Sequence, residues 1–354
     1  METLIVRGAP EEYICEVGAW DKLEEHLIKR GITHCLVLHG EKSWEVANSF
    51  FPELRKVKTT FKHYQNECRF DIAETFKSFI IEEKIDAVVA VGGGKVLDLG
   101  KLIANELKIK SICLPTLAST CAAYTPVSIV YNEQHEMIDF KILEQAISLT
   151  LIAPEVIVNS PKEYLVAGIG DTLAKWYESN PVLSAIKNPS VELQVAQFAA
   201  KSCLDNLLAN SRKGLKDLED GVLSYELTQI IETNILLAGM VGGFGDHYGR
   251  TSGAHSIHDG LTLVPGTDKY LHGNKVAYGI LVQLAIEEKW EEINKLLPFY
   301  QELGLPSKYK DFGVTEKEME IVANFSETDE CMLLLPQEIS ATIIMDAIKQ
   351  LEMI

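Results

Sequence analysis

The chain has 354 residues, 47% of them hydrophobic and 24% charged, and a formal net charge of −18. That balance is typical of a soluble globular protein, with enough residues for two domains and a substantial core. The acidic excess argues against a nucleic-acid partner, which needs a basic face, yet allows a small anion in a local basic pocket. No apolar run approaches the ~20 residues that cross a bilayer. The opening METLIVRGAPEEYICEVGAW has acids and a proline where a signal peptide has basic and apolar segments. No membrane partner is expected, and a cytoplasmic location is. Seven scattered cysteines without a CxxC pair read as reduced, mostly buried thiols.

Up to about residue 160, short β-like runs alternate with helical segments. THCLVLHG is apolar and ends on glycine, KSWEVANSFFPEL reads as a helix, VKTTFKHY alternates, and DIAETFKSFIIEEK reads as a second helix. IDAVVAVGGG, SICLPT, VSIVYN and LTLIAPEVIVN follow as further β-like runs. Near-continuous Val, Ile and Leu separated by helices predict a Rossmann-like, doubly wound parallel sheet covered on both faces. Residues 1–160 are expected to form this α/β domain.

Within it, IDAVVAVGGGKVLDLGKLIANEL reads as strand, glycine turn and helix. Gly92, Gly93 and Gly94 let a ligand approach the backbone, and the helix from Lys95 turns unpaired N–H groups and a positive dipole end towards an anion. Lys95 adds a cation, so a diphosphate is the expected guest. The same glycines would also serve a plain chain reversal, and the pattern matches neither GxGxxG nor the P-loop. Asp98, one turn into the helix, either supports the nicotinamide side of such a site or is an ordinary acid near a helix N-terminus. At the tip of the first strand, LVLHGEKSW sets His39 and Gly40 where dinucleotide folds carry an acid for the ribose hydroxyls. Glu41 and Lys42 follow, but the tip has no acid, which favours NADP(H) over NAD(H).

Past Pro161 the pattern changes. EYLVAGIGDTLAKWYES, SVELQVAQFAAKSCLDNLLAN, SYELTQIIETNILLAGMVGGF and NKVAYGILVQLAIEEKWEEINKLL carry apolar residues at three and four spacing. An all-helical domain over 161–354 is expected, with NSPKEY as the hinge and the ligand in the cleft between the two halves.

Three of the nine histidines, His255, His258 and His272, fall within TSGAHSIHDGLTLVPGTDKYLHGNKVAYG. His255 and His258 are three apart in a helix-like stretch and share a face, while His272 follows a Pro-Gly break. A single histidine on apolar ground would read as a satisfied core residue; a cluster beside glycines reads at least as well as a metal site. A dication also calls for a carboxylate, and Asp171 in GIGDTLAKWYE is an acid among apolar neighbours. As a helix-capping residue it would need no metal, and the residues by themselves leave these readings level.

Taken together, VGGGKVLDLGK, LPTLASTCAAYTPVSIVY, GIGDTLAKWYE and AHSIHDG…LHGNKVAYGILVQL resemble the glycerol-dehydrogenase branch of the iron-containing alcohol dehydrogenase superfamily, in order and spacing over most of the chain. The resemblance implies a nucleotide-binding α/β domain, a helical domain and one divalent metal held by Asp171, His255 and His272. It also implies dinucleotide contacts from Gly94, Lys95, Thr116, Ser119, Thr125, Val127 and Tyr131, and a homo-oligomer. Thr116, Ser119 and Thr125 follow the SICLP strand, where open α/β sheets bind ligands, although hydroxyls are also ordinary in turns. Tyr131 either walls the nicotinamide pocket or simply ends a strand. Iron-using relatives carry a further histidine one turn after the aspartate. Here that position is Lys175, and two imidazoles with a carboxylate suit Zn²⁺ better than Fe²⁺.

The expected chemistry is hydride transfer between a carbinol carbon and nicotinamide, with the metal as Lewis acid on the substrate oxygen. His258 is expected to relay a proton or orient substrate, or to be a satisfied pocket histidine. Glycerol dehydrogenases continue the AST loop with an aspartate; here it is Cys121. That loss, with Lys175 as a possible extra cation, points to a small 2-oxo acid/2-hydroxy acid pair, with glycerol or a related polyol as the alternative. A dehydroquinate-synthase-like lyase shares the architecture, but the Lys, Arg and Asn cluster its sugar phosphate demands is missing from GIGDTLAKWYE and AHSIHDG. A non-catalytic binding protein is the last reading, against which the intact ligand residues and phosphate turn both count.

Overall fold

The computed structural model describes residues 3–354. It divides into two compact units: Arg7–Pro161 with Asp217–Ser224, and Lys162–Lys216 with Tyr225–Ile354 and residues 3–6.

The first unit carries eight strands: β1 (Tyr13–Cys15), β2 (His34–His39), β3 (Lys58–His63), β4 (Ala87–Gly92), β5 (Lys110–Pro115), β6 (Val127–Tyr131), β7 (Met137–Ile142) and β8 (Leu149–Ile152). Six form one parallel sheet in the order β1-β8-β5-β4-β2-β3. Every residue of β4, AVVAVG, is buried, as a central strand covered on both faces requires. The edge strand β3, KTTFKH, is half polar and wetter, and its lysines discourage further strand pairing. Trp20, Leu23, Val37, Val89 and Leu151 belong to the core on one face of this sheet. The indole N–H of Trp20 donates to the Leu151 carbonyl at 3.0 Å, so even this large ring is satisfied.

Two β-like runs depart from the expectation of a single sheet. VSIVYN leaves it: β6 pairs antiparallel with β7 in a separate hairpin. In LTLIAPEVIVN only the first residues make β8, and Pro154 starts a short helix, Pro154–Ile157, because proline suits a first helical turn and not a central strand.

The second unit is helical. Lys162–Ser184, Val191–Glu219, Gly253–Thr262, His272–Ile286 and Trp290–Leu303 are its main expected segments. The last expected run is broken at Glu287–Lys289, where Glu288 takes a left-handed φ of 57°. Among the described residues, Tyr225–Gly245 is long and apolar enough to cross a membrane, which corrects the sequence expectation that no run comes near that length. Buried residues make up 61% of that window, which is how a core helix passes the same test.

Candidate active site

In the helical unit, three helices approach at glycines. A Cβ on Gly170 would lie 2.5 Å from the Gly273 carbonyl oxygen, and one on Gly273 would overlap the Ala167 carbonyl. One on Gly279 would overlap the carbonyl of Ala254. The helices Lys162–Ser184, Gly253–Thr262 and His272–Ile286 thus pack backbone against backbone, which no side-chain-bearing residue at these points permits. Asp171 and His272 adjoin Gly170 and Gly273, and His255 adjoins Ala254, so the contacts that bring the helices together bring these side chains together.

The convergence is tight. Asp171 Oδ1 lies 3.3 Å from His272 Nε2 and 3.4 Å from His255 Nε2. One ligand atom from each of the three residues falls within 4.8 Å of the others. Ligands about 2.1 Å from a tetrahedral ion sit about 3.4 Å apart, which the two distances from Asp171 Oδ1 match. Asp171 and His255 are buried, whereas the His272 side chain is 42% exposed and marks the open side.

The electrostatics point the same way. Burial would push the Asp171 carboxyl up, yet Lys175, His255 and His272 hold it well below its ordinary value. Burial would drag His255 down, but the Glu178 and Asp171 carboxylates raise it to about 9. Without a metal, a proton on this imidazole supplies the positive charge that the buried acids demand. His258 is the opposite case: burial and the neighbouring His272 push it down to about 3, so it is neutral.

Both nitrogens of His258 are committed, Nδ1 to Asp259 Oδ1 at 2.8 Å and Nε2 to His272 Nδ1 at 2.9 Å. Neither ring nitrogen of His258 is open in this arrangement, and Nε2 faces His272. Lys175 does not point into solvent. It is buried, with Nζ 3.5 Å from the Arg250 carbonyl, close enough to Asp171 to lower its carboxyl.

The glycine turn belongs to the other unit. Gly93 precedes the helix Gly94–Leu107, and no side chain caps that helix start. The Thr116 N–H donates to the Gly92 carbonyl at 3.1 Å, so the turn and the loop after β5 are neighbours. A Cβ on Gly93 would press on Leu117, and one on Gly94 would reach Thr120 at only 3.5 Å. Thr116 Oγ1 is buried and, among the described residues, lacks a hydrogen-bond partner, as a hydroxyl awaiting a ligand would. Gly40 is buried at the tip of β2, and a Cβ there would meet Ser43 and Tyr64. Beside it the His39 ring packs on Trp44 with centroids 4.7 Å apart, and burial lowers its basicity.

Several expected contacts are already engaged within the unit. Lys95 Nζ sits 2.7 Å from the buried Glu67 carboxylate and 4.7 Å over the Tyr131 ring. Burial raises the Asp98 carboxyl, which contacts Lys101 Nζ at 2.9 Å and accepts the Ile129 N–H at 3.2 Å. Lys101, buried and unforeseen, also donates to the carbonyls of Ala122, Thr125 and Val127 and so braces the loop that carries them. The Thr125 hydroxyl donates to the Cys121 carbonyl at 3.3 Å, an ordinary turn contact. Cys121 and Ser119 are half-buried along the same loop, and Val127 begins β6 as a buried residue.

Sequence reasoning also missed Glu178 and Asp259. Glu178 lies two turns beyond Asp171 on the same helix face, and Asp259 follows His258 directly; both positions pass for ordinary helical acids.

The family described as iron-containing alcohol dehydrogenase matches residues 10–157. Hydroxycarboxylate dehydrogenase A of Escherichia coli (strain K12) is 31% identical over 349 residues, covering 97% of this chain and 96% of that protein. A glycerol dehydrogenase of Thermotoga maritima is 31% identical over 349 residues, covering 96% and 94%. A crystal structure of a probable glycerol dehydrogenase from Sinorhizobium meliloti 1021 superposes with a TM-score of 0.88 at 28% identity, covering 99% of each chain. The fold is that of a two-part dehydrogenase with a parallel-sheet unit and a helical unit. This chain belongs to the iron-containing alcohol dehydrogenase family, and it is a dehydrogenase acting on alcohol groups.

Proposed function

We propose that the protein transfers hydride between NAD(P)H and a small 2-oxo acid/2-hydroxy acid pair, with one divalent metal held by Asp171, His255 and His272. The observation that carries this is the convergence of one carboxylate oxygen and two imidazole nitrogens within 4.8 Å of one another, with the carboxylate oxygen 3.3 and 3.4 Å from the two nitrogens. Zn²⁺ is proposed before Fe²⁺, because Lys175 stands one turn after Asp171 and cannot act as a fourth imidazole. When bound, the ion supplies Lewis acidity towards the substrate oxygen. The protein's own part is to hold that oxygen near Asp171, His255 and His272 and, through the buried Lys175 ammonium, to favour a carboxylate beside it. Cys121 in the AST loop adds no anion to repel such a substrate.

The division of labour is proposed to follow the sequence halves, nucleotide on residues 1–160 and metal on 161–354. Gly40, Gly93, Gly94, Lys95, Thr116, Ser119, Thr125, Val127 and Tyr131 are proposed to surround the dinucleotide, with Asp98 supporting them from within the helix and the partnerless Thr116 hydroxyl the best supported of them. The β2 tip, His39–Gly40, has no acid for a free ribose 2′-hydroxyl, which supports NADP(H) before NAD(H). A homo-oligomer and a cytoplasmic setting complete the reading; four of the seven cysteines are buried as free thiols, as a reducing compartment suits.

The second reading is a glycerol or polyol dehydrogenase, supported by a relative of that name over 96% of this chain. A kinetic panel of 2-oxo acids and polyols with both cofactors separates the two. The account expects 2-oxo acids to be reduced with the higher kcat/KM and NADPH to outperform NADH. Efficient glycerol oxidation with every 2-oxo acid ignored reverses the order.

A further inference from the structure

An imidazole gives a lone pair to a cation from one nitrogen only when its other nitrogen carries the proton, so something must fix the tautomer of each ligand histidine. The structure holds a separate device for each. His255 Nδ1 lies 2.7 Å from Glu178 Oε2. The other oxygen of that carboxylate, Oε1, accepts the backbone N–H groups of Ser252 at 2.7 Å and His255 at 2.9 Å, so Glu178 is pinned at both ends. An ionised carboxylate offers only acceptors; His255 must therefore donate from Nδ1, which makes Nε2, on the Asp171 side, the nitrogen that gives up its proton when an ion binds.

His272 is set from further away. Asp259 accepts from His258 Nδ1 at 2.8 Å, which leaves His258 Nε2 as an acceptor. That nitrogen faces His272 Nδ1 at 2.9 Å, so His272 donates there and keeps Nε2 bare. Asp259 fixes the direction of every donor in the chain. Both Nε2 atoms, the nitrogens left for an ion, lie beside Asp171 Oδ1, at 3.4 and 3.3 Å.

We propose that Glu178, and Asp259 acting through His258, are positioning residues that set the ring tautomers of His255 and His272 for metal binding. This rests on the reading of Asp171, His255 and His272 as metal ligands. Glu178→Gln is a sharp probe of it. The amide oxygen must stay on the two backbone N–H groups, which turns the NH₂ group towards His255 Nδ1. His255 then has to accept there, and its proton moves to Nε2, where it blocks the ion. His258→Gln keeps a donor for Asp259 and an acceptor for His272, whereas His258→Leu keeps neither.

The experiment measures Zn²⁺ affinity of the full-length, metal-stripped protein and its variants by competition with a chromophoric chelator, with melting temperature recorded on the metal-free forms. Loss of an outer hydrogen-bond partner of this kind weakens metal binding about tenfold to hundredfold. Glu178→Gln and His258→Leu should show that loss, and His258→Gln should bind within about threefold of the parent. Asp171→Asn serves as the control for the metal reading. If Asp171→Asn loses zinc while Glu178→Gln and His258→Leu keep parental affinity, the metal site stands and the positioning role is overturned. If His258→Gln falls as far as His258→Leu, shape and not hydrogen bonding matters, and the relay is overturned. If Asp171→Asn binds zinc as the parent does, both readings fall. Should Glu178→Gln prove unfolded, Glu178→Asp, which draws the carboxylate back from His255 Nδ1, takes its place with the same expected loss, while the two His258 variants decide the Asp259 arm.

Discussion

At the scale of single residues, a buried ammonium beside a candidate ligand carboxylate biases what else can bind there. Lys175 is buried one turn from Asp171 and within reach of the Arg250 carbonyl. A charge-assisted hydrogen bond to a substrate carboxylate contributes about 1.5–3 kcal/mol, so Lys175→Met should raise KM for the 2-oxo acid about tenfold to hundredfold. KM for the nicotinamide cofactor should stay unchanged. Equal loss with acid and polyol substrates would show that the lysine serves the metal site alone. Asp98 carries a different lesson. Its place near a helix start left open support for a nicotinamide side or an ordinary helix acid, and its carboxylate is held from inside the unit by Lys101 and the Ile129 amide. Composition cannot separate these outcomes, because both need a buried acid at that position.

At the scale of elements, the candidate metal centre depends on helices that meet where glycine allows. A side chain at Gly273 would strike the backbone of Ala167 inside the helix that carries Asp171. Gly273→Ala must move one helix against the other, and overpacking of this kind costs about 1–3 kcal/mol or more. The variant should lose both stability in urea unfolding and Zn²⁺ affinity in chelator competition; unchanged zinc affinity would separate this helix contact from the metal site. Asp171, His255 and His272 could be singled out in the sequence as candidates because few residue types bind metals and His255 and His258 follow the helical period, and the structure brings the three together. Glu178 was hidden by its resemblance to any surface glutamate, seven residues after Asp171. The glycine contacts were hidden because they are tertiary: nothing local to Gly273 indicates a carbonyl over a hundred residues away. VSIVYN was legible as a strand but not as a hairpin, since its partner MIDFKI mixes charges with apolar residues and shows no clean alternation. A strand's existence is written locally, and its neighbour is not.

At the scale of the whole molecule, the alternation of strands and helices followed by helical periods was enough to anticipate a parallel-sheet unit and a helical unit, because each pattern reflects how much of an element is buried. Relatives named for hydroxycarboxylate and for glycerol oxidation, equally similar at 31% identity, place the chain among dehydrogenases and leave the choice of substrate to local residues such as Cys121 and Lys175. What every reading of the activity shares is the ion at Asp171, His255 and His272. The most direct measurement is turnover of chelator-stripped protein as Zn²⁺ is added back, followed by NADPH absorbance with a 2-oxo acid. The account predicts near-zero turnover without metal and a rise that saturates at one ion per chain. Full turnover in the stripped protein, with metal analysis confirming that none remains, would contradict it.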